Sequence, residues 1–488
     1  MILLSRKKTK SFLLVIILII FFINISTATV STKLSTGSQE NSLIQNKNEE
    51  TSYDLLIISP IKFYQYLLPL ISHKNSYGVK TKLVTVGEIY QQILLRGRDN
   101  AEKIKYFIKD EIEKWDIKYV LLVGGRKDQS AIESWWVPVR YSYLSRKYGN
   151  WFEGRFLCDL YFADIYDSQG GFSSWNNNDN ILFGEWPEDS PAVDIPDLYP
   201  DVAVGRLPCR NVFEVKIIVN KIIRYETGNF QDSWFKKMLV VAGDTYPEKS
   251  DYIDGEVYTQ MALNMMPGFT PVKVWASEGT LTNWRSIVKE INNGCGFVYF
   301  SGHGGPYIWN TYRPYDNSGR IGNFKLRHML FLFNRNKLPV CISGSGCFNN
   351  MFNVSLGHSE WVYWNGKILN IPFSIPFNIP KCWGWSLTCR TNGGGIAVIA
   401  STAFSYESPD ISRGEGGCEW LDMHFFEQYG INGTDILGKC WADTVTGFLQ
   451  NFSINWSDTT DIGDALIVKN VEQWVLIGDP SLKIGGYN

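Results

Sequence analysis

This sequence predicts an α/β fold, a mainly parallel sheet flanked by helices in two subdomains, on three observations. Short unbroken apolar runs recur along the chain, such as Tyr53-Asp-Leu-Leu-Ile-Ile-Ser59 and Tyr119-Val-Leu-Leu-Val-Gly-Gly125. Runs without polar alternation suit strands buried on both faces, as in parallel sheets. Segments of helical period separate them, Ala101 to Lys114 being the clearest, and strands alternating with helices give parallel pairing with helices on both faces. With 488 residues and 44% hydrophobic content, the chain can bury a large core.

Taken in order, Met1 to Ala28 places Arg6, Lys7, Lys8 and Lys10 before the apolar Phe12 to Ile25 and the small residues Ser26 to Val30. That order is a signal peptide, with a membrane anchor over residues 11–30 as the alternative. Export to an extracytoplasmic, secreted or cell-envelope location is expected, with membrane association through the N-terminus in the anchored case. Residues 29–52 are polar and aperiodic, a linker. The N-terminal subdomain is expected over 53–230. It holds a strand at Tyr53–Ser59, a helix near Ile61–Ser72, a strand at Lys80–Val86, the helix at 101–114 and the strand at 119–125. Trp135 to Pro196, rich in Tyr, Trp, Asn, Asp and Gly, reads as an ordered surface excursion. A short strand near Tyr199–Pro208 and a helix at Asn211–Thr227 close this half.

The catalytic subdomain is expected over 231–488. Its strands are Lys237–Asp244, Val272–Trp275, Gly296–Phe300, Gly395–Ser401 and the closing Trp474–Ser481. Its helices are Asp254–Met265, Trp284–Asn292 and Leu421–Tyr429. The stretch Trp361 to Trp385 is proline-rich and cannot form a regular helix. A flap, a partner surface, a membrane-interface loop and ordinary packing are its four readings.

A formal charge of −2 and no basic stripe argue against a nucleic-acid partner. The nine cysteines lack CxxC spacing, which argues against structural zinc. Cys382 and Cys389 are spaced for a loop disulfide. Asp159 and Asp164 lead the acids of the 135–196 stretch; a structural calcium site is one reading of them, a solvated acidic loop the other. Asn353, Asn432, Asn451 and Asn455 fit the glycosylation pattern Asn-x-Ser/Thr.

Three strand ends carry reactive groups, and open α/β sheets bind ligands beyond the carboxyl ends of their strands. Phe297-Val-Tyr-Phe-Ser-Gly-His-Gly-Gly305 delivers His303, a second run ends in Gly346-Cys347-Phe348, and Lys237–Asp244 ends in Asp244. A thiol near its ordinary pKa of about 8.5 is mostly protonated at neutral pH, so an imidazole is needed to activate it. Asp244 could hold the ring, and the amides of Gly304 and Cys347 could form an oxyanion hole. Taken singly, a cysteine after an apolar strand is more often a small core residue.

Ser-Gly-His303-Gly-Gly, Leu338-Pro-Val leading to Gly-Cys347-Phe-Asn-Asn-Met-Phe352 and Gly478-Asp-Pro-Ser-Leu482 resemble the gingipain-like cysteine peptidases, relatives of caspases and legumains. Asp201-Val-Ala-Val-Gly-Arg-Leu-Pro208 and Ile396-Ala-Val-Ile-Ala-Ser-Thr402 extend the resemblance, so that it runs from about Tyr53 to Gly485. It implies a caspase-like sandwich and an endopeptidase acting on protein or peptide substrates through a thioester, with no cofactor. Cys347 would be the nucleophile and His303 the base and later acid. Asp244 would stand where the family has a glutamate, one methylene short. Asp254 would lie at the base of the S1 pocket and favour Arg or Lys, with Tyr406 and Asp410 in its wall; a solvated first-turn residue is the alternative for Asp254. The stretch before Tyr53 is short for a folded prodomain, and no adhesin domain follows Gly478-Asp-Pro. Two rival functions are an inactive, peptidase-like binding protein and a transpeptidase or ligase using the same thioester.

Overall fold

The apolar runs become neighbours in one ten-stranded sheet. The computed structural model describes residues 52–487, except 149–150, 231, 249–250, 358, 365–366, 373–377, 409–415 and 461–462. The expected signal peptide or anchor and nearly all of the linker therefore lie outside the described residues. Numbered along the chain, the strands of the sheet are β1 (Leu55–Ser59), β2 (Thr81–Thr85), β3 (Tyr119–Val123), β4 (Ala203–Leu207) and β5 (Lys237–Ala242). They continue with β6 (Thr270–Trp275), β7 (Phe297–Ser301), β8 (Val340–Gly344), β9 (Ala397–Ser401) and β10 (Trp474–Ile477). Their spatial order is β6-β5-β7-β8-β9-β10-β4-β3-β1-β2.

Every neighbouring pair is parallel except β9 with β10. The last strand of the chain thus lies parallel to β4 of the first half and antiparallel to β9 of the second, so the two halves share one sheet. Between β4 and β5 the chain jumps from the middle of the sheet to near its edge.

Helices cover the sheet: α1 (Tyr64–Ser76), α2 (Val86–Gln92), α3 (Asn100–Trp115), α4 (Val212–Glu226), α5 (Asp254–Asn264) and α6 (Trp284–Asn293). The remaining four are α7 (Trp383–Thr388), α8 (Cys418–Gly430), α9 (Leu437–Asn451) and α10 (Asp464–Gln473). Local chemistry sets many of their ends. A capping box of Thr85 and Glu88 starts α2, and Asp99, Asn211 and Asn283 cap α3, α4 and α6 with side-chain oxygens. Strands β1, β7, β8 and β9 are fully buried, as their unbroken apolar character requires.

Ion pairs inside the core tie distant segments together. Lys74 on α1 lies 2.7 Å from Glu226 and 2.9 Å from Asp479, all three buried. His73 adds a contact of 2.8 Å to Glu226. The Asp-Pro after β10 is in this way anchored to the first helix.

Three expectations need correction. The 135–196 stretch is short hairpins and irregular chain, but it is not a surface excursion: Trp175, Trp186, Tyr161 and Phe162 are buried in the main core. The Cys382–Cys389 disulfide does not form, all nine cysteines being free thiols. Helix α7 occupies the interval between these two cysteines, and seven residues at 1.5 Å per residue hold them about 10 Å apart, beyond disulfide reach. Asn353 is buried and gives its side-chain amide to Tyr141 Oη at 3.1 Å, so it cannot accept a glycan. The 361–385 insertion forms an antiparallel hairpin, Ser359–Trp364 with Lys367–Pro372, followed by α7, whose Trp383 and Trp385 pack in the core.

Candidate active site

Register brings the reactive segments together. Ser301, the last residue of β7, pairs with Ala242 of β5 on one side and Gly344 of β8 on the other. Three strands therefore stop level with one another, and residues 243–245, 302–304 and 345–347 emerge side by side. The chain then turns sharply at Ser345 (φ 55°) and Phe348 (φ 61°), a left-handed conformation unusual for both residue types. The two turns hold Cys347, half-buried, at the bend.

Gly304 fixes how close His303 comes. A Cβ at position 304 would stand 2.5 Å from the carbonyl carbon of Gly346 and 2.7 Å from the oxygen of Cys347. Backbone thus lies directly on backbone, which only glycine allows. His303–Gly305 is the first strand of a three-stranded antiparallel unit with Ile308–Arg313 and Asp316–Lys325. This unit is stapled to the end of β5: the amides of Asp244 and Tyr312 each donate to the other's carbonyl at 3.1 Å.

The ring of His303 has a defined tautomer. Its Nε2 lies 2.9 Å from the carbonyl oxygen of Thr245; a carbonyl only accepts, so Nε2 carries the proton and Nδ1 the lone pair. Tyr246 and Tyr312 stand edge-on to the imidazole on either side, each with centroids 5.7 Å away. Burial, with help from the Arg320 guanidinium, lowers the imidazole to about 4, so it is neutral at neutral pH. The Cys347 thiol is pushed up by burial, and Ser405 donates its amide to the sulfur at 3.4 Å. Imidazole and thiol are therefore each neutral at rest.

The expected third contact is displaced by one residue. The carboxylate of Asp244 accepts the Tyr315 amide at 2.9 Å and is raised by burial. The backbone of Thr245 is what holds the histidine. In this state the Cys347 amide donates to Ser345 O at 3.0 Å, so of the two donors expected for an oxyanion hole it is already engaged.

Asp254 is 3% exposed, not the solvated first-turn residue of the alternative reading. Its Oδ1 accepts the amides of Thr245 at 2.6 Å and Gly255 at 2.8 Å. Burial raises its carboxyl to about 6. Nearby Glu256 turns away and accepts the amide of Ser277 at 2.9 Å. Tyr406 is half-buried, its carbonyl accepting the Cys418 amide at 2.7 Å. Asp410 lies outside the described residues.

Several functional groups had no sequence signal of their own. Glu407 bonds the hydroxyl of Ser345, two residues before Cys347. With the buried Asp254, Glu419 and Asp422, the half-buried Glu407 belongs to a set of carboxyls each raised by burial first and then by a neighbouring carboxyl, which for Asp254 is Asp244. Glu407 is next to Tyr406, so the stretch was legible but the residue was not. Thr245 contributes only backbone, which no side-chain pattern announces.

Asp159 and Asp164 are engaged elsewhere. Asp159 pairs with Arg206 at 2.6 Å, and Asp164 accepts Trp175 Nε1 at 2.7 Å. Among the described residues no group of three or more His, Cys, Asp or Glu side chains could hold a metal ion. Among them, too, no helix is long and apolar enough to cross a membrane.

The family model of peptidase family C25 matches residues 48–485. The chain belongs to this family of gingipain-like cysteine peptidases. Gingipain R2 of Porphyromonas gingivalis is 20% identical over 445 residues, 89% of this chain and 46% of that protein. The chain thus spans less than half the length of this curated relative. An uncharacterized protein of Archaeoglobus fulgidus is 24% identical over 235 residues, 46% of this chain and 52% of its own. The crystal structure of the Arg-specific cysteine proteinase gingipain R superposes with a TM-score of 0.56 at 19% identity, covering 90% of this chain and 79% of that one. At that identity the likeness gives the fold, which is the caspase-like arrangement of the C25 peptidases: a mixed, mostly parallel sheet between helices.

Proposed function

We propose that this C25 chain is an exported cysteine endopeptidase in which Cys347 is the nucleophile and His303 the general base. The observation that carries this reading is the backbone contact of Gly304 with Gly346 and Cys347, which supports it by bringing together the two segments that bear the imidazole and the thiol. In the first step Nδ1 of His303 takes the Sγ proton as sulfur attacks the scissile carbonyl carbon. The C–N bond then breaks as the imidazolium returns that proton to the leaving amine, and an acyl thioester remains. Water, deprotonated by the same Nδ1, attacks the thioester, and the C–S bond breaks as the sulfur regains a proton.

A basic P1 side chain fits best. Asp254, Glu407, Glu419 and Asp422 are carboxyls raised by burial and by neighbouring carboxyls. A guanidinium or ammonium entering beside them would be held by opposite charge. Export is supported by the basic, apolar and small-residue order before Val30, and the N-terminal sequence of protein recovered from the medium tests it.

The function is tested by a peptide-library cleavage profile of the purified protein beside Cys347→Ala. Cleavage after Arg or Lys by the parent and none by the variant is expected. No cleavage at any residue, with Cys347 unreactive to iodoacetamide, would overturn the enzyme reading in favour of a binding protein. Ligated rather than hydrolysed products would favour the transpeptidase.

A further inference from the structure

The carboxylate of Asp254 reaches the histidine through one residue, Thr245. Its Oδ1 accepts the Thr245 amide at 2.6 Å, and the carbonyl of that same residue accepts His303 Nε2 at 2.9 Å. Asp254 does not act alone: the Asp244 carbonyl, in the same peptide as the Thr245 amide, accepts the Tyr312 amide and the Thr311 hydroxyl at 3.1 Å each, and the Asp244 carboxylate takes a backbone hydrogen bond from Tyr246, in the same peptide as the Thr245 carbonyl. The Asp254 carboxylate itself is immobilised. Gly255, the next residue, packs so tightly that a Cβ there would stand 2.7 Å from Gly243 O and 3.2 Å from Ser301 O. The first turn of α5 is thereby pressed onto the ends of β5 and β7, the strands that lead to Thr245 and His303.

We infer that Asp254 is a positioning residue for His303, fixing Thr245 so that its carbonyl holds the ring with Nδ1 turned toward Cys347. This rests on the reading of His303 as the base, and it gives Asp254 a task distinct from attracting a basic P1 side chain. Attraction needs the negative charge. Positioning needs only a hydrogen-bond acceptor of the right length at Oδ1. The two tasks therefore separate in different variants of one residue. Loss of the acceptor leaves the buried Thr245 amide without its partner and shifts the residue that holds the ring, and a misplaced base costs about a hundredfold in rate for a displacement of about 1 Å. No such loss follows from neutralising the carboxyl while its carbonyl oxygen stays.

The test reads the thiol without any substrate. The rate of Cys347 alkylation by iodoacetamide is followed against pH in the parent, Asp254→Asn, Asp254→Ala and His303→Ala proteins. Asp254→Asn keeps the acceptor, so it is expected to keep the parent's pH profile while losing preference for basic P1 peptides in KM. Asp254→Ala is expected to fall at least about tenfold, onto the profile of His303→Ala. Should Asp254→Ala not fold, Asp254→Ser keeps a hydroxyl at the helix start but is too short to reach the Thr245 amide, and the same fall is expected. A parent-like profile for the folded Ala or Ser variant would overturn the positioning role and leave the dyad intact. A parent-like profile for His303→Ala would bring down the dyad, and the positioning role with it.

Discussion

His303 is uncharged at neutral pH because it is desolvated and faces the Arg320 charge, which puts its protonation at about 4. A base is lost when it is protonated, so the acid limb of kcat/KM is expected near pH 4 rather than at the ordinary histidine value of about 6.5. A pH–rate profile measures this directly; a limb near 6.5 would mean the ring is solvated in the working protein. The same geometry ranks two variants. His303→Ala removes the base and should cost about 10²–10⁴ in kcat/KM, whereas Asp244→Ala, whose carboxylate serves the Tyr315 amide, should cost far less. Equal losses would restore the direct contact that the sequence suggested. At this scale the sequence was legible where a reactive side chain ends an apolar run, as at His303 and Cys347. It was silent where backbone does the work: Thr245 carries no signal, and the neighbouring carboxylate drew the inference to position 244.

Elements decide how near the two reactive residues come. The hairpin from His303 to Lys325 leans on the Cys347 turn through Gly304, and Gly304→Ala would force the two backbones apart. A loss of about a hundredfold in kcat/KM is expected, with the fold retained by melting temperature; full activity would mean the contact is dispensable. This hairpin escaped sequence reading for a physical reason. Pro314 interrupts the run after Arg313, and the returning strand begins with the polar Asp316-Asn-Ser-Gly-Arg320, so neither half shows a clean period. Its stability comes instead from bonds to the end of β5. Helix α5, by contrast, was legible from its start at Asp254, although its buried face was not, because Asp254 and Glu256 are buried in its first turn.

The whole molecule is a sheet in two parallel halves joined antiparallel at β9 and β10. Strand content was readable from apolar runs, but strand order was not, since placing β10 between β9 and β4 depends on pairings hundreds of residues apart. The Lys74–Glu226–Asp479 group holds that arrangement, and Asp479→Ala should destabilise the fold by about 1–3 kcal/mol, since the buried lysine keeps Glu226 but loses its second carboxylate. Denaturant titration measures it; a change under about 1 kcal/mol would show the group to be incidental. Buried acids set the pH response. Glu472, raised to about 8 by burial, holds its proton in the folded state, whereas the unfolded chain releases it near 4.5. The native state then binds more protons, so this contribution to stability falls as pH rises from about 4.5 through about 8. Thermal melts of Glu472→Gln should show a flatter decline than the parent over that window, and identical slopes would contradict it. One thiol, carried with one histidine at the ends of β8 and β7, is proposed to attack the peptide carbonyl. Intact-protein mass spectrometry after reaction with peptidyl acyloxymethyl ketones bearing different P1 residues tests it most directly. A single adduct on Cys347, fastest with Arg or Lys and lost in His303→Ala, is predicted; an adduct on any other of the nine cysteines, or none with every P1 residue, would contradict it.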